Sequence, residues 1–223
     1  MQPMPKVIRN NGLSIALLLL FAVSFVGQSL TGHSHYNADQ RSHSNPTISY
    51  GQYLRSAAFV ESVFENWESE FLQMAVYVWL TSFLYQKGSA ESKDPDQPEE
   101  VDEPSEDHRS DPEAPSPVRR GGLVLKLYEN SLALALFSLF VISFVLHLLG
   151  SAGQTCHEQT MHGESCTSIL GHLGSATFWF ESFQNWQSEF LSITVLVVLS
   201  IFLRQKGSSE SKPVFVPHAK TGK

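Results

Sequence analysis

Four stretches of the chain depart from the mixed polar and apolar pattern of the rest. Residues 13–30 (LSIALLLLFAVSFVGQSL) and 131–150 (SLALALFSLFVISFVLHLLG) contain no Asp, Glu, Lys or Arg, and each approaches the roughly 20 residues that cross a bilayer as a helix. Two shorter runs, 71–85 (FLQMAVYVWLTSFLY) and 190–203 (FLSITVLVVLSIFL), fall short alone. Each follows an amphipathic stretch able to extend the helix outward, so the pattern predicts four transmembrane helices. The basic start and apolar core around 13–30 are also the ingredients of a signal peptide. The same pattern recurs at 131–150, where no signal acts, and an anchor accounts for both.

The chain is written twice. A shift of 119 residues lays 11–93 on 130–212 without a gap; within it, 56–93 keeps 22 identities in 38 positions and 31–55 only 4 in 25. A period this long marks two structural units, each a span, a loop and a second span. Such halves share one orientation, so they are parallel repeats about an axis along the membrane normal. The expected fold is all-α: a four-helix transmembrane protein built from two parallel helix-loop-helix repeats with outer amphipathic helical extensions. Its expected domains are 1–93, a linker at 94–117, and 118–223 with a short tail.

Charge sets the direction. The fifteen Lys and Arg divide as 2 before the first span, 2 in 31–55, 6 in 86–126, none in 150–174 and 5 from Arg204 onward. Basic residues mark the cytoplasmic side, which places both termini there. The linker 94–117 (DPDQPEEVDEPSEDHRSDPEAPSP) is Pro-rich, acidic and without apolar periodicity, the composition of a disordered segment. Segment 86–125 holds 11 of the 22 acids, and its local charge of −6 supplies most of the chain's −7. That sign repels phosphates and argues against nucleic acid as a partner.

The heptads NWESEFL (66–72) and NWQSEFL (185–191) precede the two shorter apolar runs. On a helix Val60, Val63, Phe64, Trp67 and Phe71 form one stripe, and Glu61, Glu65 and Glu68 lie on the opposite, solvated face. Asn66 with Glu70 and Asn185 with Glu189 are spaced i, i+4 beside Trp67 and Trp186. In the second copy Gln184 and Gln187 replace Glu65 and Glu68, whereas Asn, Trp, Ser and Glu are kept. Two readings of Glu70 and Glu189 stand: interfacial carboxylates held by Asn or loop backbone, or a paired cation or proton site between the repeats.

Six of the nine His, and both cysteines, lie in the outer loops. Cys156 and Cys166, on the side expected to be oxidising, read first as a disulfide. A zinc site from Cys156, His157, His162 and Cys166 has suitable ligands but no common finger spacing, and reduced thiols are the third reading. Haem between spans requires two apposed ligands, and only His147 lies within a span, with Gln28 at the matching position. One cysteine pair is too few for a membrane thiol oxidoreductase. No Walker loop, G-x-S-x-G, H-E-x-x-H or G-x-G-x-x-G occurs, so no enzyme and no cofactor are expected.

The run of NGLS (11–14), SFVGQSLTG (24–32), NWESEFLQM (66–74), QKGSAESK (86–93), YENSLALAL (128–136), SFVLHLLG (143–150), FWFESFQNWQSEFLS (178–192) and IFLRQKGS (201–208) resembles an uncharacterised bacterial family of four-pass membrane proteins, a domain of unknown function. The resemblance covers nearly the whole chain outside 94–117. It implies residence in the bacterial inner (cytoplasmic) membrane and carries no activity, substrate or catalytic residue. The expected role is an integral membrane structural or interaction component, partnered by the bilayer and by itself or another membrane protein. The alternative is a small channel or transporter using Glu70 and Glu189.

Overall fold

The computed structural model describes residues 6–222; residues 1–5 and 223, which the expected domain ends include, lie outside them. Among the described residues the chain is helical, with no strand. The helices are α1 (Lys6–Ser42), α2 (Tyr50–Tyr53), α3 (Ala57–Thr81), α4 (Ser116–Arg120), α5 (Gly122–Glu129), α6 (Ser131–Met161), α7 (Ile169–Leu173) and α8 (Ala176–Phe202). α1 is interrupted at Asn11, whose backbone leaves helical geometry (φ −129°, ψ 15°). Three helices, α1, α6 and α8, are long and apolar enough to cross a membrane. At 27 residues, even the shortest of them spans roughly 40 Å at 1.5 Å per residue, beyond the roughly 30 Å of a bilayer core.

α1 continues to Ser42 and α6 to Met161, where the sequence pattern placed outer loops from 31 and 151. The extensions are polar. They persist because their side chains serve the turns that follow: Asn37 Nδ2 donates to the Ile48 carbonyl at 2.9 Å and its Oδ1 accepts from the Ile48 N–H at 2.8 Å. α3 and α8 start in the same way. The Ser56 hydroxyl accepts from the Phe59 N–H at 3.3 Å and that of Ser175 from the Phe178 N–H at 3.2 Å, each satisfying an orphan donor of the first turn.

Chain contacts divide the molecule into two compact units, one reaching to Ser62 and including Leu149–Thr167, the other comprising Val63–Leu148 and Ser168 onward. In the first, Tyr53 is buried, with ring contacts to His33 at 5.7 Å, Tyr36 at 5.8 Å and Phe59 at 5.4 Å. Two glycines let α6 approach α3 closely: a Cβ on Gly150 would lie 2.5 Å from the Glu61 backbone nitrogen, and one on Gly153 2.8 Å from Ala57 Cβ. Cys156 and Cys166 are joined as a disulfide with Cα atoms 4.6 Å apart.

The second unit holds the end of α3, most of α6, α7, α8 and the tail. Residues 94–117, expected to lack structure, form single 3-10 turns at Glu100–Asp102 and Ser105–His108 that bury no side chain, then enter α4. The tail is tied down by Lys212, almost wholly buried at 1% exposure, whose ammonium donates to the carbonyls of Gly88, His218 (3.0 Å) and Lys220 (2.8 Å). The Gly88 N–H donates to Thr221 Oγ1 at 2.9 Å. Gly88 itself has φ +87°, and a Cβ there would meet the His218 carbonyl at 2.8 Å, so the crossing requires glycine.

Burial runs opposite to hydrophobicity. Of the most apolar 18 residues of α1, α6 and α8, 6, 11 and 6% respectively are buried, whereas Ser29, Asn37, Gln40, Glu68, Ser69, Gln73, Ser143, His147, Ser151, His172 and Ser182 are all buried. A water-soluble protein places these groups the other way round.

Replacing Lys212 by Met leaves three carbonyls without their donor. It is expected to destabilise the tail by about 3 kcal/mol, seen as proteolysis within 213–222 of the folded protein. Lys206→Met, at an exposed position, is expected to leave the tail protected.

Candidate functional site

Glu65 and Glu68 are one turn apart on α3 and face the same way. Opposite them α6 brings His147, and α8 brings Glu181, Asn185 and Trp186. His147 Nδ1 lies 2.7 Å from Glu68 Oε2, and the Trp186 indole N–H donates to Glu68 Oε1 at 2.9 Å. Glu68 and His147 have no exposed side-chain surface. Each oxygen of the Glu68 carboxylate thus meets a nitrogen from a neighbouring helix. Asn185 Nδ2 donates to Glu65 Oε1 at 2.6 Å and to the Glu181 carbonyl at 3.3 Å.

The second imidazole nitrogen is placed differently. His147 Nε2 is 3.5 Å from Glu181 Oε2, within ion-pair reach, but the geometry is not that of a hydrogen bond and the buried atom has no such partner among the described residues. Glu181 retains 22% of its side-chain exposure. An aromatic wall closes the site. Phe178, fully buried, lies 5.0 Å from the His147 ring, with Phe144 at 5.4 Å and Trp179 at 5.7 Å from Phe178. The chemistry on offer is an imidazole between two carboxylates, one sealed and one reachable.

The structure distributes the sequence candidates unevenly. Asn185 and Trp186 enter the site, each bonded to a carboxylate of α3. Asn66 and Glu70 are exposed and Trp67 is half-buried, its ring 5.3 Å from that of Phe64. Glu189 is half-buried and its carboxyl faces that of Glu70. The solvated face expected for Glu65 and Glu68 is corrected: Glu68 is the most enclosed acid of the helix. Val63 of the apolar stripe and Glu68 of the polar one are both buried, whereas Asn66 and Glu70 stay exposed, so α3 turns residues of both kinds inward. Two signals pointed there: a histidine inside an apolar run, and acids at 65 and 68 that become amides in the second copy.

The same contacts recur 119 residues apart. Phe21–Phe25 (5.7 Å), Phe25–Phe59 (6.1 Å) and Tyr53–Phe59 (5.4 Å) map onto Phe140–Phe144 (5.8 Å), Phe144–Phe178 (5.4 Å) and His172–Phe178 (5.8 Å). Gln86 N–H to Ser92 Oγ (2.8 Å) maps onto Gln205 N–H to Ser211 Oγ (2.9 Å).

Glu68→Gln keeps an acceptor for Trp186 but strips the charge from beside His147. Breaking a buried pair on one side is expected to lower stability by roughly 3 kcal/mol, read as a fall in the melting midpoint in detergent. Glu70→Gln with Glu189→Gln removes two facing acids and is expected to change stability by under about 0.5 kcal/mol.

Burial pushes the His172 imidazole in α7 below its ordinary value, with the Glu181 carboxylate opposing the shift and His147 adding to it. The unfolded chain therefore binds more protons here than the folded one. This contribution to stability is complete above the ordinary histidine pKa of about 6.5 and is lost as pH falls below it. His172→Phe keeps a ring against Phe178 and is expected to flatten the acid side of the stability profile. Parallel profiles for the two proteins would assign the acid sensitivity elsewhere.

No curated protein and no solved structure matches this chain. A family defined as a domain of unknown function, DUF6766, matches residues 4–223, and with its extent covering the helices, the tail and the buried cluster alike, the chain belongs to that family.

Proposed function

We propose that the chain is an integral protein of the bacterial cytoplasmic membrane that crosses it four times, through α1, α3, α6 and α8, and serves as a structural or interaction component rather than an enzyme. The observation that carries this reading is the inverted burial: apolar side chains cover the outside of three long helices while serines, amides, His147 and Glu68 fill the inside. α3 is less apolar than the other three because it supplies the acids of the site, and with Glu68 facing inward it can lie in the same layer. The recurring ring and hydrogen-bond contacts support two parallel repeats, 1–93 and 118–223, joined by the acidic linker 94–117. Basic residues flanking the spans at one end support cytoplasmic termini. The natural partners are lipid and a second membrane-embedded surface, another copy or another protein, and not nucleic acid.

A small channel or transporter is the second reading, favoured by the facing carboxyls of Glu70 and Glu189. Lysine at both positions would reverse the selectivity of a pore in vesicles and leave a scaffold unaffected.

Two measurements test the first reading. Periplasm-active reporters are expected to work after Gly153 and fail after Ser92; the opposite result inverts the topology. Purification in mild detergent is expected to yield an oligomer or a stoichiometric complex, and a monodisperse monomer with no partner would defeat the interaction role.

A further inference from the structure

Four titratable side chains converge in the second unit: Glu65 and Glu68 on α3, His147 on α6 and Glu181 on α8. The 119-residue shift maps each onto a neutral residue, Gln184, Gln187, Gln28 and Ser62. The neutral arrangement is a sound one, since Gln28 Nε2 donates to the Ser62 carbonyl at 3.0 Å in the first unit. At the matching place the counterparts of His147 and Glu181 meet through an amide and a backbone carbonyl, while those of Glu65 and Glu68 are exposed. A buried ion pair exchanged as a whole for neutral groups is commonly no less stable. Packing alone gives no reason for four titratable groups in one copy only, and ionisable groups inside a membrane layer mark function.

We propose that Glu68, His147 and Glu181 form a single-ended proton-binding site, loaded from the N-terminal end of α8 and sealed at Glu68. Glu181 stands in the second turn of α8, roughly 8 Å from its start, and is the member with exposed surface. The imidazole tautomer follows from its partners: the Nδ1–H donates to Glu68 Oε2 at 2.7 Å, which leaves the Nε2 lone pair facing Glu181. A proton reaching the Glu181 carboxyl moves to Nε2. The Glu181 O–H bond breaks, an N–H bond forms, and an imidazolium lies between two carboxylates.

The proton stops at Glu68. Glu68 Oε1 is occupied by the Trp186 indole N–H, a donor with no acceptor site. The ligand is a proton rather than a metal ion, because among the described residues no three His, Cys, Asp or Glu side chains converge in a metal-binding arrangement. The charged and titratable groups facing His147 are Glu65 and Glu68 from α3, Glu181 from α8 and His172 from α7.

The test uses the full chain in lipid nanodiscs with nitrogen-15 in its histidine rings. One of the nine histidines is expected to show both ring nitrogens titrating between about pH 5 and about pH 9. Its signal should vanish in His147→Gln and shift its midpoint in Glu181→Ser. The neutral set (Glu65→Gln, Glu68→Gln, His147→Gln and Glu181→Ser together) should melt no lower than the native chain. In vesicles with an internal pH dye, an imposed pH step should produce no leak attributable to the protein. A His147 signal unchanged across the range overturns the proposal, as does a neutral set that does not fold at any pH, since the cluster is then structural. A leak abolished by His147→Gln also overturns it, in favour of conduction. Should His147→Gln alone fail to fold, the signal is assigned in the native chain by its shift in Glu181→Ser. The ring titration stands apart from the topology proposed above; only the vesicle measurement shares it.

Discussion

Glu68 is a carboxylate with no solvent, and the ends of α3, α6 and α8 within the second unit are arranged to supply what solvent would have given. Desolvating such a charge costs several kcal/mol, recovered here by a donor from each of two other helices, the His147 imidazole and the Trp186 indole. Two bonds from two directions fix register. Sliding α6 or α8 by one residue along α3 would turn its donor away by about 100° and leave the carboxylate bare. The aromatic shell of Phe144, Phe178 and Trp179 then keeps water out and the bonds strong.

Polar interactions carry this burden because apolar surface cannot discriminate between helix and lipid. The first unit follows the same rule with different groups. There Asn37 clasps the Ile48 backbone, Gln28 reaches the Ser62 carbonyl, and Gly150 and Gly153 allow α6 to lie directly against the backbone of α3. Close approach and hydrogen bonding replace the leucine-to-leucine contacts of a soluble bundle. The leucines and valines left on the outside of α1, α6 and α8 are what makes those helices apolar enough to cross a membrane.

The apolar runs at 13–30 and 131–150 fall within α1 and α6, because a long run without charged residues marks a helix of that length whatever surrounds it. Their ends were not legible. α1 runs on through TGHSHYNADQRS to Ser42, a segment without apolar periodicity whose helicity depends on side-chain bonds to the loop that follows it. The site was half legible. Asn185 and Trp186 were singled out for being kept in both copies, and both reach the cluster. The polar face of an amphipathic helix reads as the wet face, and Glu68 departs from that because α6 and α8 bring nitrogens to its carboxylate. His147, read from sequence, is a lone imidazole inside an apolar run. The fact that mattered was its partner 79 positions earlier in the chain, a separation no local pattern encodes.

The sequence likeness of 11–93 and 130–212 supplies a comparison inside one molecule. Where the two copies agree, they keep geometry: the phenylalanine ladder, the serine caps of α3 and α8, and the turn in which Gln86 or Gln205 meets a serine hydroxyl six residues on. Where they differ, they change partners on an unchanged frame. Lys93 pairs with Asp102 and the Ser82 carbonyl, whereas Lys212, its counterpart, is caged by three carbonyls and anchors the tail. The cluster follows this logic at higher stakes. A position that accepts Gln28 in one copy holds His147 in the other, and the acids that meet it come from both copies, Glu68 from the first and Glu181 from the second. The cluster depends on α3 packing beside α6 and α8 within the second unit, so Glu68, His147 and Glu181, distant in the chain, are meaningful only where those helices meet.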